Sequence, residues 1–262
     1  MKIAVITGAS AGLGKIFFET IMERYPELDE VWIIARREYL LNELAEKKPG
    51  RKVRVLPLDL RDMKSIEALD CALKEQQPDI KVLINNAGFD RVGLFREMKY
   101  EDILSMINLN VRGTTMISRS CLPYMNKGSY EIISGSIASF IPLPWCDVYS
   151  SSKAYLRAFT RALHEEERRH GVNVMYLALG SMDTDMYREN TTGGKVTIFP
   201  FLNMQRVTAR ALEKAERGAA FYTPLGIYKA YRVFAKIVPS ALGVKLTSIE
   251  SSVPEQFRSV NG

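Results

Sequence analysis

Lys2-Ile3-Ala4-Val5-Ile6-Thr7, followed by Gly8-Ala9-Ser10-Ala11-Gly12-Leu13-Gly14, is the stretch that decides the fold. The apolar run reads as a buried strand, and the residues after the glycines, through about Tyr25, carry apolar side chains at helical spacing. A strand, a glycine turn and a helix start together make a phosphate site: the first amides of a helix lack internal partners and the positive end of its dipole faces the turn. Gly8, Ser10, Gly12, Leu13 and Gly14 are therefore candidate cofactor contacts. The spacing Gly-x-x-x-Gly-x-Gly differs from both the Gly-x-Gly-x-x-Gly fingerprint and a Walker loop. The competing possibility is a glycine turn with no ligand.

Working outward, Val31 to Ala35 reads as the second strand, Val53 to Leu58 as the third, Ile80 to Ile84 as the fourth and Val172 to Leu177 as the sixth. A helix is expected over Arg61 to Gln76. Strands alternating with helices predict one α/β domain over residues 1–262, a Rossmann-type doubly wound parallel sheet with helices on both faces. Its ligand crevice lies outside the carboxyl ends of the strands. Arg36-Arg37 closes the second strand, where such a fold inspects the adenosine ribose. An acidic residue there bonds a free 2′-hydroxyl, whereas arginine accommodates a 2′-phosphate, so NADP is favoured over NAD. A solvated arginine pair opening the next helix is the alternative. Asp59 follows the third strand as an adenine contact or as the cap of the next helix, and Asn85-Asn86-Ala87-Gly88 follows the fourth.

Tyr149-Ser150-Ser151-Ser152-Lys153 sets a phenol and an ammonium four residues apart, on one helix face. A cation beside a phenol favours the phenolate, which suits Tyr149 to acid/base work and Lys153 to its activation. In a chain with 12 tyrosines, on the order of one Tyr-x-x-x-Lys arises by chance. The pair takes its weight from Ser136, thirteen residues earlier in Ile132-Ile133-Ser134-Gly135-Ser136.

The composition, 47% hydrophobic and 25% charged, is that of a globular protein. No apolar run approaches the roughly 20 residues that span a bilayer, and Met1 leads straight into the first strand with no secretory signal pattern. A cytoplasmic location is the expectation. Cys71, Cys121 and Cys146 have neither disulfide-framework nor zinc spacing, and His164 and His170 turn to different helix faces. No metal is expected, and a Ser-His-Asp triad is poorly supported. The net charge of +6 suits a nucleotide, but also nucleic acid or an acidic membrane. Its dispersed cations argue against a nucleic-acid face.

Together these motifs resemble those of the classical short-chain dehydrogenase/reductase family. The resemblance rests on Thr7 to Gly14, Asp59, Asn85 to Gly88, Asn110, Ser136 and Tyr149 to Lys153, in family order and spacing, and covers Met1 to about Thr184. It implies hydride transfer between a nicotinamide and an alcohol or carbonyl carbon. Tyr149 would be the general acid or base, Ser136 would bond the substrate oxygen, and Lys153 would lower the Tyr149 pKa and bind the nicotinamide ribose. Asn110 would support a proton relay. Asn86, Ala87, Gly88, Gly180 and Thr184 would touch cofactor. In Leu179-Gly180-Ser181-Met182-Asp183-Thr184 the chain departs from the family's Pro-Gly-x-Val-x-Thr at Leu179 and Met182. The family also implies a homodimer or homotetramer, formed through the helices that carry Asn110 and Tyr149.

Residues 185–218 hold the place of the family's substrate loop and helix. Met186, Tyr187, Ile198, Phe199, Pro200, Phe201 and Met204, with Gly193-Gly194 as a hinge, and the run Phe140 to Trp145, suit a lipophilic substrate such as a steroid, an acyl chain or an aromatic ketone. Core packing competes with this reading. Leu225 to Val238 is an apolar and basic helix closed by Pro239, within a C-terminal segment of about 225–247. It either packs, covers the substrate mouth or rests on an anionic membrane surface. A polar tail, 248–262, ends the chain. The rival to an enzyme is an NADP-binding sensor or scaffold that does no chemistry, against which the intact set of Ser136, Tyr149, Lys153 and Asn110 argues.

Overall fold

A computed structural model describes residues 1–184, 187–188 and 199–247. Met186, Gly193-Gly194, Ile198 and the tail 248–262, for which the sequence raised expectations, lie outside the described residues. In chain order the elements are β1 (Lys2–Thr7), α1 (Gly12–Arg24), β2 (Glu30–Ala35), α2 (Glu38–Glu46), β3 (Val53–Pro57), α3 (Met63–Gln76) and β4 (Asp79–Asn85). There follow α4 (Tyr100–Met106), a π-helical segment (Ile107–Gly113), α5 (Thr114–Cys121), β5 (Met125–Ser136), α6 (Asp147–Glu167) and β6 (Asn173–Leu179). The last are α7 (Met204–Glu216), β7 (Phe221–Tyr222), α8 (Gly226–Ile237) and α9 (Ser240–Thr247).

The seven strands form one sheet in the order β3-β2-β1-β4-β5-β6-β7, with every neighbouring pair parallel. Strands covered on both faces must be apolar on both, and β1 meets that demand. Ala4 and Ile6 pack with Phe17, Phe18 and Leu212 of α1 and α7. Ile3 and Val5 pack on the other face with Leu69 and Ile117 of α3 and α5. The strand order reverses direction between β1 and β4, so the loops after them diverge and open a crevice.

The sequence-based boundaries shift in informative ways. Helix α3 starts at Met63 because Asp62 caps it, its side chain accepting from Lys64 N at 3.1 Å. The cap is thus Asp62 and not Asp59. β7, two residues long, carries too short a pattern to be read from sequence. Pro239 closes α8 as expected: the helix ends at Ile237, and Val238 before the proline is extended. A further helix that the sequence did not announce, α9, begins directly after it, the Pro239 carbonyl accepting from Gly243 N at 2.9 Å, a position where proline's fixed φ suits a helix start.

Candidate active site

The turn after β1 is built by close backbone approach. Gly8 has φ +69° and Gly12 φ +53°, a region side-chain-bearing residues rarely adopt. A Cβ on Gly14 would sit 2.1 Å from the Gly8 carbonyl oxygen, so only glycine lets α1 start against its own turn. Helix α1 has no side-chain cap and no acidic residue in its first turn. Its N-terminal amides and dipole end therefore face the cleft with no competing anion, which fits a diphosphate. Thr7 ties the turn to β4: its Oγ1 accepts from Asn86 N at 2.9 Å and Ala87 N at 3.0 Å.

Arg36 and Arg37 are exposed at the end of β2 and line the same cleft. Arg37 donates to Ser10 Oγ at 3.2 Å, which holds one guanidinium over the glycine turn. Asp59 borders the cleft too, its carboxylate gripped by Arg61 at 2.6 Å and held below its usual pKa chiefly by that hydrogen bond.

At the other end, Ser136, Tyr149 and Lys153 line the cleft together. Desolvation raises the Tyr149 pKa, and nearby Asp90 adds to the rise, while the neighbouring Ser136 hydroxyl opposes it. Lys153 lies 5.5 Å from the Tyr149 ring centroid and donates to Ser134 O at 3.0 Å. Burial brings the Lys153 ammonium down to about 8, against which Asp90 favours the charge. Burial, then, governs both groups: it favours the neutral phenol of Tyr149 and works against the charge on Lys153, which Asp90 supports.

The Asn110 carboxamide accepts from Phe89 N at 2.8 Å and donates to Phe89 O at 2.8 Å and Ser152 Oγ at 3.2 Å. It thereby ties the loop after β4 to α6 from within a π-helical segment, a departure frequent at functional sites. The backbone at Gly88 passes close to both groups: a Cβ there would lie 3.5 Å from Asn110 Oδ1 and from Lys153 Nζ, ordinary contact distance. A Cβ on Gly12 would likewise lie 3.5 Å from Thr184 Cγ2, so the glycine turn and the loop after β6 approach each other across the cleft.

Three residues that the sequence reading missed shape the site. The Tyr176 hydroxyl accepts from Ser136 N at 3.0 Å and lies 3.2 Å from the carbonyls of Ser136 and Lys153. It fits because a Cβ on Gly135 would overlap its ring at 1.9 Å, and the only sequence signal was that glycine in a strand end. Tyr228 of α8 is fully buried; its hydroxyl accepts from Ser181 N at 3.2 Å and donates to Pro200 O at 2.7 Å. It braces the loop in which Leu179 stands in place of the family's proline. Half-buried Asp90 lines the cleft near Lys153, and desolvation raises its carboxyl to about 6. The cleft has a volume of about 1180 Å³ and runs from Arg36 and Arg37, past Tyr149, to Phe199, Tyr231 and Phe234.

Fold and site define a dinucleotide-binding α/β oxidoreductase. The short chain dehydrogenase family profile matches residues 2–194, and the chain belongs to that family. It is 35% identical over 195 residues, 70% of this chain and 73% of the relative, to the NADP-dependent 3-hydroxy acid dehydrogenase of Schizosaccharomyces pombe. It is 31% identical over 197 residues, 73% of this chain and 77% of the relative, to sulfoacetaldehyde reductase 2 of Chromohalobacter salexigens. The short-chain dehydrogenase from Sphingobium yanoikuyae, solved in complex with NADPH, superposes with a TM-score of 0.76 at 22% identity, covering 92% of this chain and 97% of that one.

Proposed function

We propose that this protein is an NADP(H)-dependent oxidoreductase that interconverts a hydrophobic ketone and its secondary alcohol. The observation that carries the reading is that Ser136, Tyr149 and Lys153 line one cleft together, with Lys153 buried and its Nζ 5.5 Å from the Tyr149 ring centroid. The cofactor, when bound, supplies the hydride. Negative charge then grows on the substrate oxygen, and Ser136 and Tyr149 are donors fixed in advance to meet it. Tyr149 passes its phenolic proton to that oxygen in reduction and takes it back in oxidation. Lys153 offsets the phenolate charge left behind and bonds the nicotinamide ribose. Asn110 acts as a positioning residue through Phe89 and Ser152 and supports the proton relay. Gly8, Ser10, Gly12, Leu13 and Gly14 hold the diphosphate, Asn86, Ala87, Gly88, Gly180 and Thr184 line the nicotinamide half, and Asp59 borders the adenine.

Relatives and neighbours that use NADP(H) support the cofactor choice, as do the paired guanidiniums. Arg36→Glu is expected to raise the KM for NADPH by roughly tenfold to a hundredfold while leaving that for NADH within about twofold, the size of one lost charge-assisted contact. Steady-state kinetics with both cofactors check it. Ile141, Leu143, Phe199 and Tyr231 on the cleft wall support a lipophilic carbonyl such as a steroid, acyl chain or aromatic ketone. Oxidation of NADPH across a panel of such ketones tests the whole reading. If cofactor binds but neither ketones nor the matching alcohols turn over, the protein is a sensor and the proposal falls. Exposed Tyr100, Leu104, Ile107 and Tyr155 support a homodimer or homotetramer through α4 and α6, in a cytoplasmic enzyme.

A further inference from the structure

Of the exposed large apolar side chains of the described residues, seven lie between Leu225 and Leu246. At 100° per residue Ile227, Val233, Phe234 and Ile237 share one side of α8. Tyr228, Tyr231 and Ala235 share the side packed on the core. Lys229, Arg232 and Lys236 fill one of the two arcs between them, and on the other Ile227 adjoins Tyr231. Ile237 is 77% exposed, more than a packed helix end requires, and Leu242 and Leu246 extend the apolar strip onto α9. Among the described residues, only the side that holds Tyr228, Tyr231 and Ala235 packs on the core.

Charge identifies the other partner. Arg217, Lys229, Arg232, Lys236 and Lys245 are the charged residues between Arg217 and Thr247, and none of that stretch is acidic. A two-fold contact sets a surface against itself, so a second copy would bring these cations together. The exposed patch on α4 differs, because Lys99, Glu101 and Asp102 mix both signs there. Exposed apolar residues flanked by cations match an anionic bilayer: the apolar side chains enter the acyl boundary while lysines reach the headgroups. No described helix is long and apolar enough to cross a membrane, so the contact is peripheral. Phe234, Gly243, Leu246 and Thr247 also line the cleft.

We propose that α8 and α9 form a docking surface for anionic lipid bilayers, and that the cleft mouth opens beside the docked face to admit substrate from the lipid phase. Docking stands on the surface alone; delivery of substrate rests on the hydride-transfer reading above. The test is flotation of the full chain with vesicles of phosphatidylcholine, alone or with roughly one-third phosphatidylglycerol, which needs no turnover. Wild type is expected to float with the anionic vesicles and not with the neutral ones, and to be released by roughly 0.5 M salt. Ile237→Glu and the double change Lys229→Glu with Lys236→Glu are each expected to weaken vesicle binding roughly tenfold or more, with melting temperature and NADPH binding unchanged. The proposal is overturned if wild type floats with neither vesicle. It is overturned too if Ile237→Glu changes oligomer size in place of vesicle binding, the mark of a second copy. A loss of thermal stability in that variant, with no vesicle binding in wild type, would instead assign the face to the chain's own residues 248–262.

Discussion

Tyr149→Phe is expected to lower kcat for carbonyl reduction by roughly 10²–10⁴-fold, the usual contribution of a placed general acid, while the Kd for NADPH stays within about twofold. The substitution deletes one hydroxyl and leaves the ring that packs over Lys153 at 5.5 Å. The glycine turn, Arg36, Arg37 and Lys153 keep their contacts, so the cofactor site persists. Ser136, beside it on the cleft wall, keeps its own bond, its Oγ accepting from Ala138 N at 3.1 Å, and the cost in stability is about 1 kcal/mol. Stopped-flow measurement of NADPH oxidation, with cofactor titration by fluorescence alongside, separates the outcomes. Undiminished turnover would remove Tyr149 as the proton donor. Loss of cofactor binding with the rate would make its role structural.

Glu131→Gln is expected to raise stability by about 3 kcal/mol at pH 8 and to leave it nearly unchanged at pH 4. Glu131 is fully buried within β5, where Ser118 Oγ donates to its Oε1 at 2.6 Å and Asn85 Nδ2 at 3.2 Å. Burial raises its pKa from 4.5 to about 7, the two hydrogen bonds opposing that rise. A carboxyl with a raised folded pKa holds its proton more firmly in the native state than in the unfolded one. Its contribution is therefore full below about 4.5, declines as pH rises through the window to about 7, and is lost above it. Glutamine preserves the acceptor for Ser118 and cannot ionise, so the variant lacks this slope. Denaturant unfolding of both proteins between pH 4 and pH 8 isolates the group as a difference. Parallel curves across that range would mean that Glu131 does not titrate there.

Much of the site was legible because its motifs are local. The strand, glycine turn and helix start of Lys2 to Arg24 are contiguous, and Gly8, Gly12 and Gly14 hold backbone geometry that few other residues allow. Tyr149 and Lys153 meet through helix periodicity alone, and alternating apolar runs announce a parallel sheet before any pairing is known. Arg36 and Arg37 could be placed at the cleft from sequence because a strand end has a defined place in a doubly wound sheet, and both line it.

Tertiary structure decided the rest, and the reason is sequence separation. Tyr176 lies 40 residues from Ser136 and Tyr228 lies 47 from Ser181, so neither has a local pattern to betray it. Each is seen only when the sheet closes and a glycine, 135 or 180, leaves room for its ring. Burial is equally nonlocal. The sequence placed a phenol beside an ammonium, but desolvation by the surrounding strands keeps Tyr149 protonated and weakens the Lys153 charge. Asp90 and Glu131 look like ordinary carboxylates in the chain, and only the fold withdraws them from water. The local sequence determined which groups and turns were available; the packing of distant segments set their protonation, their partners and the shape of the cleft between them.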